Sequence, residues 1–129
     1  MNGSILLDTN IVIALFGQDQ KIRQRLSKAK EVFIPSIVLG ELYYGAYKST
    51  NVGANLDRIS ELAIHSTILF CDSVTAQHYG KIKNLLRTKG RPIPENDIWI
   101  AAIAEQYQLT IATRDEHFKE AEGILVDMW

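Results

Sequence analysis

The sequence predicts an α/β fold with a mainly parallel sheet, and three observations carry that prediction. Short apolar runs alternate with amphipathic helical segments from one end of the chain to the other. The runs are too short for helices and are bounded by prolines or polar residues, as buried strands are. No linker, low-complexity tract or internal repeat interrupts the alternation, so the 129 residues read as one compact domain, 1–129.

The elements follow in order. Ser4 to Leu7 is an apolar run ending at Asp8, which predicts a buried strand. Thr9 to Phe16 has helical potential and Gly17 stops it. Gln20 to Lys30 reads as a basic helix, and Val32 to Ile34 as a second strand closed by Pro35. Ser36 is placed to cap a helix running to about Tyr47, with Ile37, Val38, Leu42 and Tyr44 among its apolar residues. An amphipathic helix spans about Asn55 to Ile64, and Thr67 to Phe70 predicts a third strand. Ser73 caps a long helix whose apolar stripe is Tyr79, Ile82, Leu85 and Leu86, and Gly90 ends it. Arg91-Pro92-Ile93-Pro94 is extended, because proline disfavours helix at its own position and the one before. Asp97 to Tyr107 is apolar almost all round and therefore a buried helix, with Trp99 to Ala104 in the core. Thr110 to Ala112 and Ile124 to Val126 complete the strands.

Composition narrows the class. Hydrophobic residues at 47% and charged residues at 22% exclude disorder and fibrous repeats. The single Cys71 cannot form an internal disulfide and is expected to be a small buried hydrophobe. No basic segment precedes the first apolar run, and no run approaches the roughly 20 residues of a membrane span. A cytoplasmic protein without membrane contact is expected.

The net charge of −1 conceals two basic stripes. Lys21, Arg23, Arg25, Lys28 and Lys30 form one; Lys81, Lys83, Arg87, Lys89 and Arg91 form the other, with no acid between Ser73 and Pro94. Such stripes are either solvated helix faces or a grip on a phosphate backbone.

Four acids occupy places where a charge costs energy. Asp8 ends the first buried strand, at the sheet edge where open α/β sheets bind ligands. Asp115 lies just beyond the strand Thr110 to Ala112 and is expected at the same edge. Glu41 is spaced i+4 from Ile37 and i−3 from Tyr44, which puts a carboxylate on an apolar helix face. Asp97 opens the most buried helix, where the helix dipole favours an anion. Each has a plainer reading: a cap for Asp97, local turn bonds for Asp8 and Asp115, and a partner such as Arg91 or Arg114 for Glu41. Together, unpaired carboxylates in an apolar setting must be protonated or neutralised by a cation. Neutral pH favours a divalent metal. All four are oxygen donors and His65, His78 and His117 are scattered, so Mg²⁺ or Mn²⁺ suits the set better than zinc. Such a site activates water and clamps phosphate oxygens.

These residues resemble a known family. Asp8-Thr9-Asn10 after an apolar strand, Leu39-Gly40-Glu41-Leu42-Tyr43-Tyr44-Gly45-Ala46, Arg91-Pro92-Ile93-Pro94-Glu95-Asn96-Asp97-Ile98-Trp99 and Thr113-Arg114-Asp115-Glu116-His117-Phe118 are similar, in that order, to the PIN-domain ribonucleases, and most to the VapC type, the toxin half of type II toxin–antitoxin pairs. The resemblance implies a three-layer domain, a mainly parallel central sheet flanked by helices. It also implies a Mg²⁺-dependent endoribonuclease that inhibits translation, with Mn²⁺ as a substitute cofactor. Asp8, Glu41, Asp97 and Asp115 would form its catalytic, metal-binding pocket, Asp8 and Asp97 as the firmest ligands. Thr9, Asn10, Asn96 and Thr113 would orient those carboxylates by hydrogen bonds. The implied partners are an RNA substrate, a second copy of the chain, and a VapB-type antitoxin whose tail covers the pocket. Lys81, Lys83, Arg87, Lys89 and Arg91 would then grip RNA.

Tyr43, Tyr44 and Tyr47 are expected in the core or at a dimer contact rather than stacked on bases. His117 is expected to be a structural hydrogen-bonding residue. Competing classes fit less well. A receiver domain wants adjacent acids after its first strand and a Lys after its last parallel one, where this chain has Asp8-Thr9 and Arg114. A dinucleotide-binding domain wants a glycine-rich first turn, which is absent. A PIN-like module that binds RNA or a partner without catalysis is the remaining alternative, and the presence of all four acids speaks against it.

Overall fold

The computed structural model of the chain describes residues 3–129; residues 1 and 2 of the expected domain lie outside it. Five strands, β1 (Ser4–Leu7), β2 (Glu31–Pro35), β3 (Thr67–Leu69), β4 (Thr110–Thr113) and β5 (Val126–Met128), form one sheet in the order β3-β2-β1-β4-β5. Every neighbouring pair is parallel. Six α-helices flank the sheet: α1 (Thr9–Phe16), α2 (Gln20–Ser27), α3 (Ser36–Tyr47), α4 (Val52–Ile64), α5 (Ser73–Thr88) and α6 (Glu95–Tyr107). A 3₁₀ turn spans Glu116–Glu120.

The chain starts in the middle of the sheet, runs out to β3, then crosses to β4 and β5 on the other side. Right-handed connections running in opposite directions deliver helices to both faces, which is the expected layered α/β architecture. They also create a switch point between β1 and β4, where a crevice opens beyond the carboxyl ends of the strands. The two central strands are the most buried: Leu6, Leu7, Ile111 and Ala112 are all inaccessible to solvent, while β3 and β5 at the edges are only partly covered. Leu7 pairs with Ala112, and the Asp8 amide continues the ladder by donating to the Ala112 carbonyl at 3.1 Å. The first acid is thereby tied to the switch point by the backbone itself.

Several boundaries differ from the sequence expectation, each for a local reason. Helix α2 stops at Ser27, not Lys30, because the Lys30 amide is already bonded to the Gly3 carbonyl at the entry to the sheet. Pro35, not Ser36, stands at the N-cap of α3, and Ser36 makes no capping bond. Helix α4 begins at Val52 because the Asn55 amide closes a first turn onto the Asn51 carbonyl. Asp72 rather than Ser73 caps α5, through a reciprocal capping box with Thr75. Helix α6 starts at Glu95, so Asp97 sits inside its first turn and is not the cap; Pro94 is. The last strand begins at Val126 because Gly123, at φ +81°, and a turn bond from Ile124 to Ala121 use the preceding residues. Phe70, Cys71 and Leu85 are exposed, because β3 ends at Leu69 and Leu85 lies off the stripe that buries Ile82 and Leu86.

Helices α5 and α6 are clasped together. Tyr79 stacks on Trp99 with ring centroids 4.0 Å apart, so Trp99 is half-buried between helices while Ile100 to Ala104 fill the core. Among the described residues, no helix is long and apolar enough to cross a membrane.

Candidate active site

The site assembles at the switch point from four chain segments that hold their carboxylates very differently. Asp8, at the end of β1, caps α1 and accepts the Thr9 amide at 2.8 Å. Its other oxygen accepts the Thr113 hydroxyl at 2.7 Å and the Asn10 amide at 3.1 Å. The residue is only 4% exposed, and burial raises its pKa against those hydrogen bonds, which lower it. The charges of Glu41 and Asp115 raise it further.

Thr113, the last residue of β4, has a hydroxyl that does two jobs. It donates to Asp8 and accepts the Asp115 amide at 2.9 Å. Asn10 closes the same knot, since its side-chain oxygen takes the Arg114 amide at 3.1 Å. One hydroxyl and one amide side chain thus tie the ends of β1 and β4 into a fixed geometry.

Glu41 comes from α3, where its carboxylate accepts the Thr9 hydroxyl at 2.7 Å. Neither expected arginine reaches it: Arg114 pairs with Asp19 at 2.9 Å and Arg91 with Glu120 at 3.7 Å. The Glu41 face of α3 is not a core face. Tyr44, one turn away, is 67% exposed, and the helix borders an open cleft of about 730 Å³ lined also by Ile13, Ile37, Gly40, Gly45 and Lys48. Tyr44 and Tyr47 are therefore surface residues, which removes the core from the two places expected for them, and the Lys48 ammonium sits 4.7 Å over the Tyr44 ring.

Asp97 is the outlier. The residue is 9% exposed, yet among the described residues its carboxylate accepts no hydrogen bond, and its one ion-pair neighbour is His117 Nδ1 at 3.8 Å. Burial and the charges of Asp8, Asp115 and Glu41 push its pKa up to about 6, with only His117 opposing. The fourth acid, Asp115, caps the 3₁₀ turn by accepting the His117 amide at 2.9 Å, and one of its carboxylate oxygens lies 3.0 Å from His117 Nδ1.

All four acids therefore share one electrostatic field, and among the described residues no Lys or Arg pairs with any of them. Two buried and two half-buried carboxylates in one field fit a divalent cation, and Asp97, Asp115 and His117 present ligand atoms within 4.8 Å of one another. Of the expected orienting residues, Thr9, Asn10 and Thr113 touch the acids directly. Asn96 does not: it is exposed in the first turn of α6 and lines the cleft, because adjacent helical residues diverge by about 100°. His117 enters the cluster although no ligand spacing in the sequence announced it. The Arg114–Asp19 pair, completed by a bond from Arg114 to the Trp129 carbonyl at 3.3 Å, has no sequence signal, since the partners are far apart along the chain.

The second basic stripe is mostly neutralised. Lys81 pairs with Glu105 at 2.7 Å, Lys83 with Glu95 at 3.2 Å, and Lys89 with Glu122 at 3.4 Å. Arg87 alone of that group makes no ion pair among the described residues.

The family whose description is PIN domain matches residues 5–124, nearly the whole chain. The chain belongs to that family. Its PIN domain is similar to ribonuclease VapC2 of Haemophilus influenzae, at 35% identity over 127 residues and 96% of each chain. It is similar to the tRNA(fMet)-specific endonuclease VapC of Shigella flexneri, at 32% identity over 96% of each. Among solved structures, DNA-bound VapBC from Salmonella typhimurium matches this PIN domain with a TM-score of 0.90 and 31% identity, over 98% of each chain. VapBC2 from Rickettsia felis, bound to a promoter DNA fragment, gives a TM-score of 0.91 at 27% identity, again over 98% of each.

Proposed function

We propose that this PIN domain is a Mg²⁺-dependent endoribonuclease, the toxin of a VapBC-type pair, with Asp8, Glu41, Asp97 and Asp115 as its catalytic and metal-binding residues. The observation that carries the reading is the convergence of four carboxylates from four segments, with no Lys or Arg paired to them among the described residues. The names of the relatives support the substrate class, and their complexes support a VapB-type partner. One PIN domain covers residues 1–129 in this reading, supported by a single sheet and one contiguous core.

Asp97 would offer an unshared carboxylate to the cation, and Asp8 a second, aimed by Thr113, Asn10 and the Thr9 amide. Glu41, braced by the Thr9 hydroxyl, and Asp115, whose backbone amide is held by Thr113 and whose carboxylate meets His117, would hold the cation or its water. The bound ion would supply polarisation of a phosphate oxygen and a water of lowered pKa. Thr9, Asn10 and Thr113 keep the Asp8 and Glu41 carboxylates from rotating.

The cleft beside Glu41 suits the antitoxin. Ile13, 58% exposed, and Tyr44 offer apolar surface next to the acids, where a partner segment covers the pocket and a cation from it reaches the carboxylates. RNA is gripped by Arg87 together with Lys81, Lys83, Lys89 and Arg91, whose surface ion pairs exchange readily for phosphate contacts.

The test is cleavage of a mixed RNA pool by the full chain with Mg²⁺, with EDTA, and with Asp8→Asn or Asp97→Asn. Cleavage is expected only for the unaltered chain with metal. Cleavage that persists in EDTA overturns the reading.

A further inference from the structure

His117 stands at the mouth of the acid cluster, where Nδ1 makes the hydrogen-bonding contact expected of it, 3.2 Å from Asp115 Oδ2, and also lies 3.8 Å from the Asp97 carboxylate, a proximity that this role does not use. We infer that His117 is a nitrogen ligand of the metal site, adding an imidazole to the carboxylates and tilting the site from Mg²⁺ toward Mn²⁺. The inference rests on the proposed reading of the acids as a metal site.

Geometry carries it. Two donors bonded to one octahedral ion at about 2.1 Å lie about 3.0 Å apart when they share an edge and about 4.2 Å apart when opposed. His117 Nδ1 lies 3.0 Å from Asp115 Oδ1, the edge spacing, and 3.8 Å from Asp97 Oδ2, a gap that a side-chain shift of under 1 Å brings to either spacing. The backbone that carries it is also fixed by packing, although the side chain itself is 54% exposed. His117 opens into the 3₁₀ turn capped by Asp115, and the next residue, Phe118, is inaccessible to solvent in the core. The imidazole therefore cannot leave the cluster without rotating about its own side-chain bonds. Asp97 is free to take a partner there, since among the described residues its carboxylate accepts no hydrogen bond and it keeps an opening to solvent.

Two interactions compete for Nδ1. With the proton on Nδ1, the ring donates to Asp115 and nothing more. With the proton on Nε2, the Nδ1 lone pair is free to join the carboxylates around a cation. Imidazole nitrogen binds first-row transition ions better than it binds Mg²⁺, so the second arrangement leaves a selectivity signature that the first does not.

The experiment is pulsed electron paramagnetic resonance on the full chain loaded with Mn²⁺ alone, with direct titration of Mn²⁺ and Mg²⁺ into the same samples. The unaltered chain is expected to show nitrogen modulation from a directly bonded imidazole. His117→Gln, which keeps a polar side chain of similar reach, is expected to lose that modulation and to lower the Mn²⁺-over-Mg²⁺ affinity ratio about tenfold. His65 and His78 remain in that variant, so a surviving nitrogen signal assigns the ligand elsewhere and overturns the inference. Tight Mn²⁺ binding with no nitrogen modulation in the unaltered chain overturns it too, while leaving the acids as a metal site. Failure to bind Mn²⁺ at all, in the unaltered chain as in Asp97→Asn, removes the metal reading and this inference with it.

Discussion

Asp8 and Asp97 are both buried carboxylates in one crevice, and the molecule treats them oppositely. Asp8 receives three hydrogen bonds, from Thr9, Asn10 and Thr113, and is the end of a strand. Among the described residues Asp97 receives none and stands in the first turn of α6, with burial first and then three other acids raising its pKa to about 6. The first is built into the fold: removing its charge disturbs a hydrogen-bond knot that also holds β1 to β4. The second is a destabilising charge that the fold tolerates in order to present a bare ligand. A crevice made this way keeps one fixed carboxylate as a reference and one open carboxylate for binding.

The largest expected effect tests this contrast directly. Asp97→Asn and Asp8→Asn should each lower RNA cleavage by at least about a hundredfold, since both remove a proposed ligand. Their effects on the metal-free fold should differ in sign. Asp97→Asn removes repulsion and should raise Tm at neutral pH. Asp8→Asn leaves one oxygen where two accept from three donors, so either the Thr9 amide or the Thr113 and Asn10 side chains face an NH₂, and it should lower Tm. Calorimetry on both variants in EDTA decides; a rise in both collapses the distinction.

The pH dependence follows with a defined sign. The pKa of Asp97 is raised in the folded chain from 3.8 to about 6, so between those values the folded state binds more protons than the unfolded one. Its contribution to stability is present at low pH and is lost as pH rises toward 6. The Tm gap between the unaltered chain and Asp97→Asn should therefore open as pH climbs from 4 to 7 in EDTA, as a thermal-melt series at several pH values would record. Metal reverses the trend, because proton and cation compete for the same carboxylate. Mn²⁺ or Mg²⁺ affinity should rise with pH up to about 6 and then level, as measured by titration calorimetry.

Thr113→Val sharpens the other half of the contrast. It leaves the Asp8 carboxylate and the Asp115 amide each short of a partner in a buried place, and should cost about 1–3 kcal/mol by urea denaturation. The corresponding removal of a neighbour from Asp97, His117→Gln, should leave stability nearly unchanged. The smallest effect concerns RNA. Arg87→Ala should reduce the salt slope of RNA binding by about 0.7 per lost phosphate contact, and Lys83→Ala by less, because Lys83 already spends its charge on Glu95.

Much of the fold was legible from spacing. Strand β1, helix α1 and helix α3 have the bounds that the apolar runs, Gly17 and Pro35 indicate. Helix starts were harder. Ser73 and Asp97 look like caps in the sequence, but Asp72 and Pro94 hold those positions, because capping depends on which backbone groups are left free and not on composition alone. Of the site, the acids were legible as charges in costly places. The exposure of Tyr44 and the arrival of His117 were not. A helical apolar pattern does not say whether it faces a core or a cleft, and residues 97 and 117 meet only through the crossing of α6 over the sheet.

The sequence by itself determined the alternation of strands and helices, and with it a parallel sheet whose switch point gathers the segment ends bearing acids. Local periodicity and stiff backbone preferences suffice for that, since each acts over a few residues. Only the tertiary structure decided which acid is tied down and which is left bare, that the basic residues of α5 are mostly paired, and that an imidazole joins the carboxylates. Those outcomes depend on hydrogen bonds and charges between residues far apart in the chain, whose energies exist only once the strands are side by side.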